Sequence, residues 1–219
     1  KWQLSRAPQP DWIEQPGPAQ PPEIAERVTG ADLHVTYINH ANLLIQQHGL
    51  NILTDPLWSE RASPFQLIGP KRHHPPGLTL EQLPPIDLIL VSHNHYDHLD
   101  LHTLAQLAER FPTAQVVSGL GNAALIRESG FTRIAELDWW QSLALNAEVT
   151  LHSVPVQHWS ARSTHDTNQT LWLGFVLQSA QGAVLFPGDS GLGPEFKLMH
   201  QHFGPLRFAA LPIGAYAPR

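Results

Sequence analysis

One seven-residue segment constrains this chain more than any other: Ser92-His93-Asn94-His95-Tyr96-Asp97-His98, set directly behind an apolar run. The run, Ile86-Asp87-Leu88-Ile89-Leu90-Val91, follows Pro84 and Pro85 and reads as a short buried strand. Beyond the histidines, Asp100 precedes Leu101, Leu104, Leu107, Ala108 and Phe111 at helical spacing, which predicts a capped amphipathic helix. On extended backbone His93 and His95 point the same way. The chain then turns toward the helix and adds Asp97 and His98. Four donors therefore converge beyond a strand end. Neutral imidazole suits zinc, and a carboxylate can complete or bridge such a site.

The chain has no cysteine, so any metal site must be built from His, Asp and Glu, and disulfides, thiolate sites and a cysteine nucleophile are excluded. Histidine is abundant at 14 residues in 219. With 42% hydrophobic and 15% charged residues the chain can bury a sizeable core. A net charge of −6 argues against a nucleic-acid partner, which selects a basic face. No apolar stretch approaches the roughly 18–20 residues needed to span a bilayer. The expectation is a soluble or peripheral membrane protein, with the cytoplasm the favoured compartment.

Residues 1–30 read as a proline-rich arm, because Pro8, Pro10, Pro16, Pro18, Pro21 and Pro22 forbid regular helix or central strand. Trp2 and Trp12 are candidates to pin it. Residues 31–219 form the expected folded domain. Leu33, Val35 and Tyr37 alternate as in a half-buried strand, and Leu43-Leu44-Ile45 and Asn51-Ile52-Leu53 flank a hairpin signal at His48-Gly49. A long irregular connection from Pro56 to Pro85 carries Lys71, Arg72, His73 and His74. Further strands are expected at Gln115–Val117, Val149–Leu151, Leu171–Leu177, Ala183–Phe186 and Phe208–Leu211. Helices are expected at Asn122–Ser129, closed by Gly130, and at Glu195–Phe203. Hairpins mixed with strand–helix units indicate an α/β (α+β) chain of sheets covered by helices.

The H-x-H-x-D-H spacing resembles the signature of the metallo-β-lactamase superfamily. That resemblance implies a further His ligand in a later loop, matched by His158 in Pro155-Val156-Gln157-His158-Trp159. It also implies a bridging Asp, matched by Asp189 in Gly188-Asp189-Ser190-Gly191. Thr54-Asp55-Pro56, Arg61-Ala62-Ser63-Pro64, Gly69-Pro70-Lys71-Arg72, Leu83-Pro84-Pro85-Ile86-Asp87, Glu136-Leu137-Asp138-Trp139-Trp140 and Pro212-Ile213-Gly214-Ala215-Tyr216 narrow it. Together they are similar to the N-acyl-phosphatidylethanolamine-hydrolysing phospholipase D branch and its bacterial relatives. The implied fold is an αββα sandwich with two zinc ions at one edge of the sheets. The chain departs from the pattern at Ala217, where the family commonly has an acidic residue. It also departs at its end, since the family's last His ligand is expected beyond Arg219. The expectation is that the C-terminal part of the domain is missing and that the natural protein extends further. His200 and His202, within a short helix, are poor substitutes.

By that resemblance His93, His95 and His158 hold one zinc, Asp97 and His98 hold the other, and Asp189 lies between. Asp97 and Asp189 are then the candidate catalytic carboxylates, with Asp97 also placed to take a proton. Asp55 can orient a ligand histidine or simply cap a turn before Pro56. His40 is a candidate neighbour of the site or a structural histidine. Lys71 and Arg72 are candidates to meet a phosphate, and Trp159, with Trp139 and Trp140, to wall an acyl pocket. The implied activity is a phosphodiesterase of phospholipase D type on a phospholipid, with peripheral membrane contact through Trp58, Phe65, Leu67 and Ile68. A lactone, ester or β-lactam hydrolase and a non-catalytic module retaining the fold are the alternatives. Oligomeric state stays open.

Overall fold

The computed structural model describes residues 22–65 and 67–214. The expectations about the arm up to Pro21, including Trp2 and Trp12, lie outside the described residues. Two sheets make up the centre. The first holds β1 (Leu33–Asn39), β2 (Asn42–Gln47), β3 (Leu50–Thr54), β4 (Leu88–Val91), β5 (Gln115–Gly119) and β6 (Ile134–Leu137), side by side in chain order. β1 to β3 run antiparallel and β3 to β6 parallel. α1 (Leu101–Arg110) and α2 (Ala123–Arg127) fall between the parallel strands. The second sheet holds β7 (Ser142–Ala144), β8 (Thr150–Val154), β9 (Gly174–Ser179), β10 (Gly182–Phe186) and β11 (Leu206–Ala209), with α3 (Glu195–Phe203) before β11.

Both faces of the central strands are buried, which is why they read as unbroken apolar runs. In β4, Ile89 and Val91 join Leu53, Leu104, Leu107 and Val116 under α1 and α2. Leu88 and Leu90 point the other way, into a core shared with Ile45, Ile52, Phe175, Leu177 and Val184 from both sheets. A third cluster, with Val176, Leu185 and Met199, lies between the second sheet and α3. The layers are thus helix, sheet, sheet, helix, as expected. The β2–β3 hairpin turns on His48 and Gly49, at φ 49° and 75°, the two positive values that a two-residue type I′ turn demands.

Several boundaries differ from the sequence reading for identifiable reasons. Leu171 and Leu173 do not enter β9; their amides bond to Leu120 O at 2.8 Å and Ser92 O at 3.0 Å, tying the strand's approach to the first sheet. α2 ends at Arg127, and the amides of Glu128, Ser129 and Gly130 reach back three residues in tighter turns. β11 begins two residues earlier than Phe208. Part of the long connection is structured: a 3₁₀ turn at Leu80–Gln82 is closed by Thr79 and Gln82, and Arg61 pairs with Lys71. The described end of the arm lies along the β2–β3 hairpin, where Gln46 Nε2 donates to Ala25 O and Asn51 Nδ2 to Glu26 O.

Candidate metal centre

The strand ends of both sheets bring the donors together. The segment from β4 to α1 delivers His93, His95, Asp97 and His98, anchored by fully buried Leu99 on one side and Val91 on the other. Asp100 caps α1, accepting from His102 N at 3.2 Å and Thr103 Oγ1 at 2.5 Å. His158 arrives on the loop after β8 and Asp189 on the loop after β10. An antiparallel bridge between Gln157 and Gly191 joins those two loops. The glycine before Asp189 is required: Gly188 has φ 61°, and a Cβ there would lie 2.5 Å from Ser92 Cβ.

Three imidazole nitrogens meet. His158 Nε2 is 3.1 Å from His93 Nε2 and 3.2 Å from His95 Nδ1. Tetrahedral bonds of about 2.0–2.1 Å from one metal would put ligand nitrogens about 3.3 Å apart, so the group fits a single ion. His40, Asp97 and His98 form a second donor group. There His40 Nε2 is 3.1 Å from Asp97 Oδ2, and His98 Nε2 is 3.6 Å from the same oxygen. Asp189 Oδ2 stands between the groups, 3.5 Å from His98 Nε2 and 3.8 Å from His158 Nε2. His98 Nε2 is buried with no hydrogen-bond partner and faces the Asp97 and Asp189 carboxylates, so it is free to act as a donor to a metal.

A single carboxylate orients two of these histidines. Asp55, at the end of β3 with φ 34° and fully buried, accepts from Ser92 N (2.7 Å), Ser92 Oγ (2.6 Å) and His98 Nδ1 (2.7 Å). Ser92 Oγ in turn lies 2.9 Å from His93 Nδ1. The network thus engages the outer nitrogens of His93 and His98 and leaves both Nε2 atoms facing the cluster. Ser92 was not singled out in the sequence, although it is the first residue past the strand.

Burial pushes His158 down to about 4 and His93 well below its ordinary value, so these imidazoles are neutral near pH 7. Burial acts the same way on His98, but Asp55, Asp189 and Asp97 overcome it and raise the group to about 10. Burial favours a protonated Asp97, yet the hydrogen bond from His40 and the charge of His98 hold it well below the usual carboxylate range. Burial lowers His95 as well, so the three clustered imidazoles favour the neutral form while the surrounding carboxylates favour the charged form of His98.

Other candidates fall elsewhere. Lys71 pairs with Glu60 at 2.8 Å, and half-buried Arg72 donates to Trp58 O and Ser59 O at 2.5 and 2.6 Å. The structure does not bring either cation to the cluster. Trp58 is not on the loop's exposed tip but packs against the core, its Nε1 donating to Leu78 O. Trp159 stands edge-on to His95, ring centres 4.4 Å apart. Trp139 packs on Trp172, and Trp140 lies near His202. His200 and His202 are exposed on α3. A cavity of about 1110 Å³ opens from His40, His158 and Asp189 between apolar walls that include Val35, Phe186, Phe208 and Trp159.

Residues 50–219 match the family model described as the beta-lactamase superfamily domain. The chain belongs to the beta-lactamase superfamily. Among curated relatives of this superfamily member, N-acyl-phosphatidylethanolamine-hydrolyzing phospholipase D 1 of Caenorhabditis elegans is 35% identical over 207 residues, 88% of this chain and 58% of that one. The mitochondrial N-acyl-phosphatidylethanolamine-hydrolyzing phospholipase D of Saccharomyces cerevisiae is 36% identical over 177 residues, 78% of this chain and 37% of that one. The chain thus spans about two fifths to three fifths of the length of these relatives. A solved metallo hydrolase from Ignicoccus hospitalis superposes with a TM-score of 0.64 at 22% identity, covering 84% of this chain and 72% of that chain. The fold is therefore that of the superfamily's metal-dependent hydrolases, and it carries a His/Asp cluster able to bind metal. Among the described residues no helix is long and apolar enough to cross a membrane.

Proposed function

We propose that this chain is the metal-binding part of a zinc phosphodiesterase of phospholipase D type, acting on N-acyl phosphatidylethanolamine or a related phospholipid. The observation that carries the reading is the pair of donor groups on either side of Asp189, with His40, His158 and Asp189 bordering an apolar-walled cavity. The relatives that share most of this chain's length support the substrate class. His93, His95 and His158 would hold one zinc. Asp97 and His98, with His40 beside them, would hold the second, and Asp189 reaches both. Bound zinc would supply Lewis-acid chemistry at a phosphoryl oxygen and lower the pKa of water. The protein's own part is orientation. Asp55 and Ser92 fix the imidazoles, Trp159 stands against His95 and His158, and Asp97 and His40 form a hydrogen-bonded pair able to pass a proton.

The partner in this reading is a lipid surface. Phe65, Leu67 and Ile68 are 65%, 89% and 69% exposed on a loop whose neck is closed by Arg61 and Lys71. Exposed apolar side chains on a protruding loop suit an interface of lipid tails. Zinc analysis together with a headgroup-release assay tests the whole reading. Zinc in the purified protein and release of N-acylethanolamine are expected. Efficient lactone or β-lactam opening with the phospholipid left intact would overturn the substrate assignment.

A further inference from the structure

We infer that Arg162 is a positioning residue: it holds the loop that bears His158 in register with the segment that bears His93 and His95, so that the three-imidazole position exists before a metal arrives. Nothing in the local sequence marks Arg162, which lies four residues past His158 in an irregular loop.

Its Nη1 donates to Asn94 O at 2.9 Å and to Leu99 O at 2.8 Å. Those carbonyls bracket His95 to His98, a turn closed within itself by His98 N and Leu99 N, both donating to His95 O. The guanidinium carbon stands 4.0 Å from the centre of the Tyr96 ring. A planar cation stacked on an aromatic face can still direct its N–H groups sideways at carbonyls, which an ammonium on a flexible stem does less well. Outside the imidazole cluster, Arg162 supplies the side-chain hydrogen bonds that join these two stretches among the described residues.

The loop behind Arg162 is itself braced. Asp166 accepts from the amides of Arg162 and Ser163. Ser160 O accepts from Asn168 N at 2.7 Å, with Asn168 at φ 58°, and Ser160 Oγ donates to Thr170 O at 2.6 Å. Arg162 is therefore not a solvated charge at the end of a mobile stem. It is a fixed strut, and His158 is four residues away on the same braced loop. Removing it frees His158 to drift from His93 and His95, while the core on both sides stays intact. The inference needs the cluster to hold a metal; it does not depend on the substrate.

The test uses cobalt(II) as probe on the whole chain, in wild type, Arg162→Ala and Arg162→Lys. Affinity is read by competition with a chelator and geometry by the visible absorption of bound cobalt. Loss of such supporting partners typically weakens metal binding about 10–100-fold. Arg162→Ala is expected to lose that much at the three-imidazole position and to change its spectrum. Lysine should restore part of the affinity, and added guanidinium ion should restore both affinity and spectrum in the alanine variant. If the alanine variant fails to fold, Arg162→Lys is read alone, and partial loss at the three-imidazole position is expected. Wild-type affinity and spectrum in the variant that folds would overturn the inference. So would equal weakening of both positions with no guanidinium rescue. A wild-type chain that takes up no cobalt would overturn the metal reading and the role of Arg162 together.

Discussion

Replacing Asp55 with Asn isolates what one buried carboxylate does for the centre. Asn keeps the shape and tolerates the φ of 34°. One oxygen still accepts from Ser92 N, now at 2.7 Å. The other becomes an NH₂ group facing two donors, Ser92 Oγ and His98 Nδ1, at 2.6 and 2.7 Å. Two responses are open. A buried donor is left facing a donor, at a cost of about 1–3 kcal/mol in stability. Otherwise His98 changes tautomer, accepts at Nδ1 and turns an N–H toward the cluster, which removes it as a ligand. Either way the position held by Asp97 and His98 suffers most, by about 10–100-fold in affinity, or about 1.4–2.7 kcal/mol. Calorimetric titration with zinc reads the affinities, and denaturant unfolding in chelator reads the metal-free stability. Ser92→Ala is the companion variant, since it cuts only the branch to His93 and should spare His98. Two metals bound by Asp55→Asn with wild-type affinities would refute the argument that this carboxylate sets the histidines.

Because His98 is raised to about 10, the metal-free centre carries its proton across neutral pH, and a metal must displace it. Affinity at that position should therefore climb by up to tenfold per pH unit from about pH 6 to 9, while the three-imidazole position, with His158 near 4, stays flat; titration in buffers of different ionisation enthalpy separates the two. Gly188→Ala should destabilise the protein by more than Gly49→Ala: both have positive φ, but only at Gly188 does a Cβ meet a neighbour, Ser92. Strain of about 1–2 kcal/mol is common to both, and the excess, read from denaturant midpoints, measures the clash. Replacing Phe65, Leu67 and Ile68 by Ser should cut sedimentation with phospholipid vesicles several-fold and leave the melting temperature nearly unchanged, since none of the three is buried; unchanged sedimentation would remove the loop from the lipid contact.

What was legible in the sequence was what is local. Val91 to Asp100 announces strand, donors and cap within ten residues, and the structure builds those elements in that order. His158 and Asp189 were reachable only through resemblance, because each becomes a neighbour of His93 and His98 through a long-range meeting of two sheets. Ser92 and Arg162 were missed for the same reason: a serine after a strand and an arginine in a loop look alike whether they face water or hold a neighbouring segment. Lys71 and Arg72 show the converse. A pair of cations in a long loop invites a phosphate, but here one is neutralised by Glu60 and the other is spent on backbone carbonyls. The strand ahead of Gly174 was misjudged because its amides are claimed by Leu120 and Ser92 across the sandwich.

The charges of the centre connect its architecture to the proposed substrate. Asp55, Asp97 and Asp189 are three carboxylates around one imidazolium, His98, so negative groups dominate the surroundings of that residue in the metal-free centre. A phosphodiester anion is repelled by such a site, and Arg162, whose charge acts on His95, is already committed to carbonyls. Two divalent ions replacing the single proton would add three positive charges to the centre. Under the zinc reading, metal loading therefore decides whether the substrate's phosphate can bind at all, not only whether it reacts. A non-hydrolysable phosphodiester should show no measurable affinity for chelated protein and should bind only as the second metal is taken up. Its affinity should then follow the same rise with pH as the position at His98. Equal binding of that anion to metal-free and metal-loaded protein would mean that recognition lies in the apolar cavity rather than in the charge of the centre.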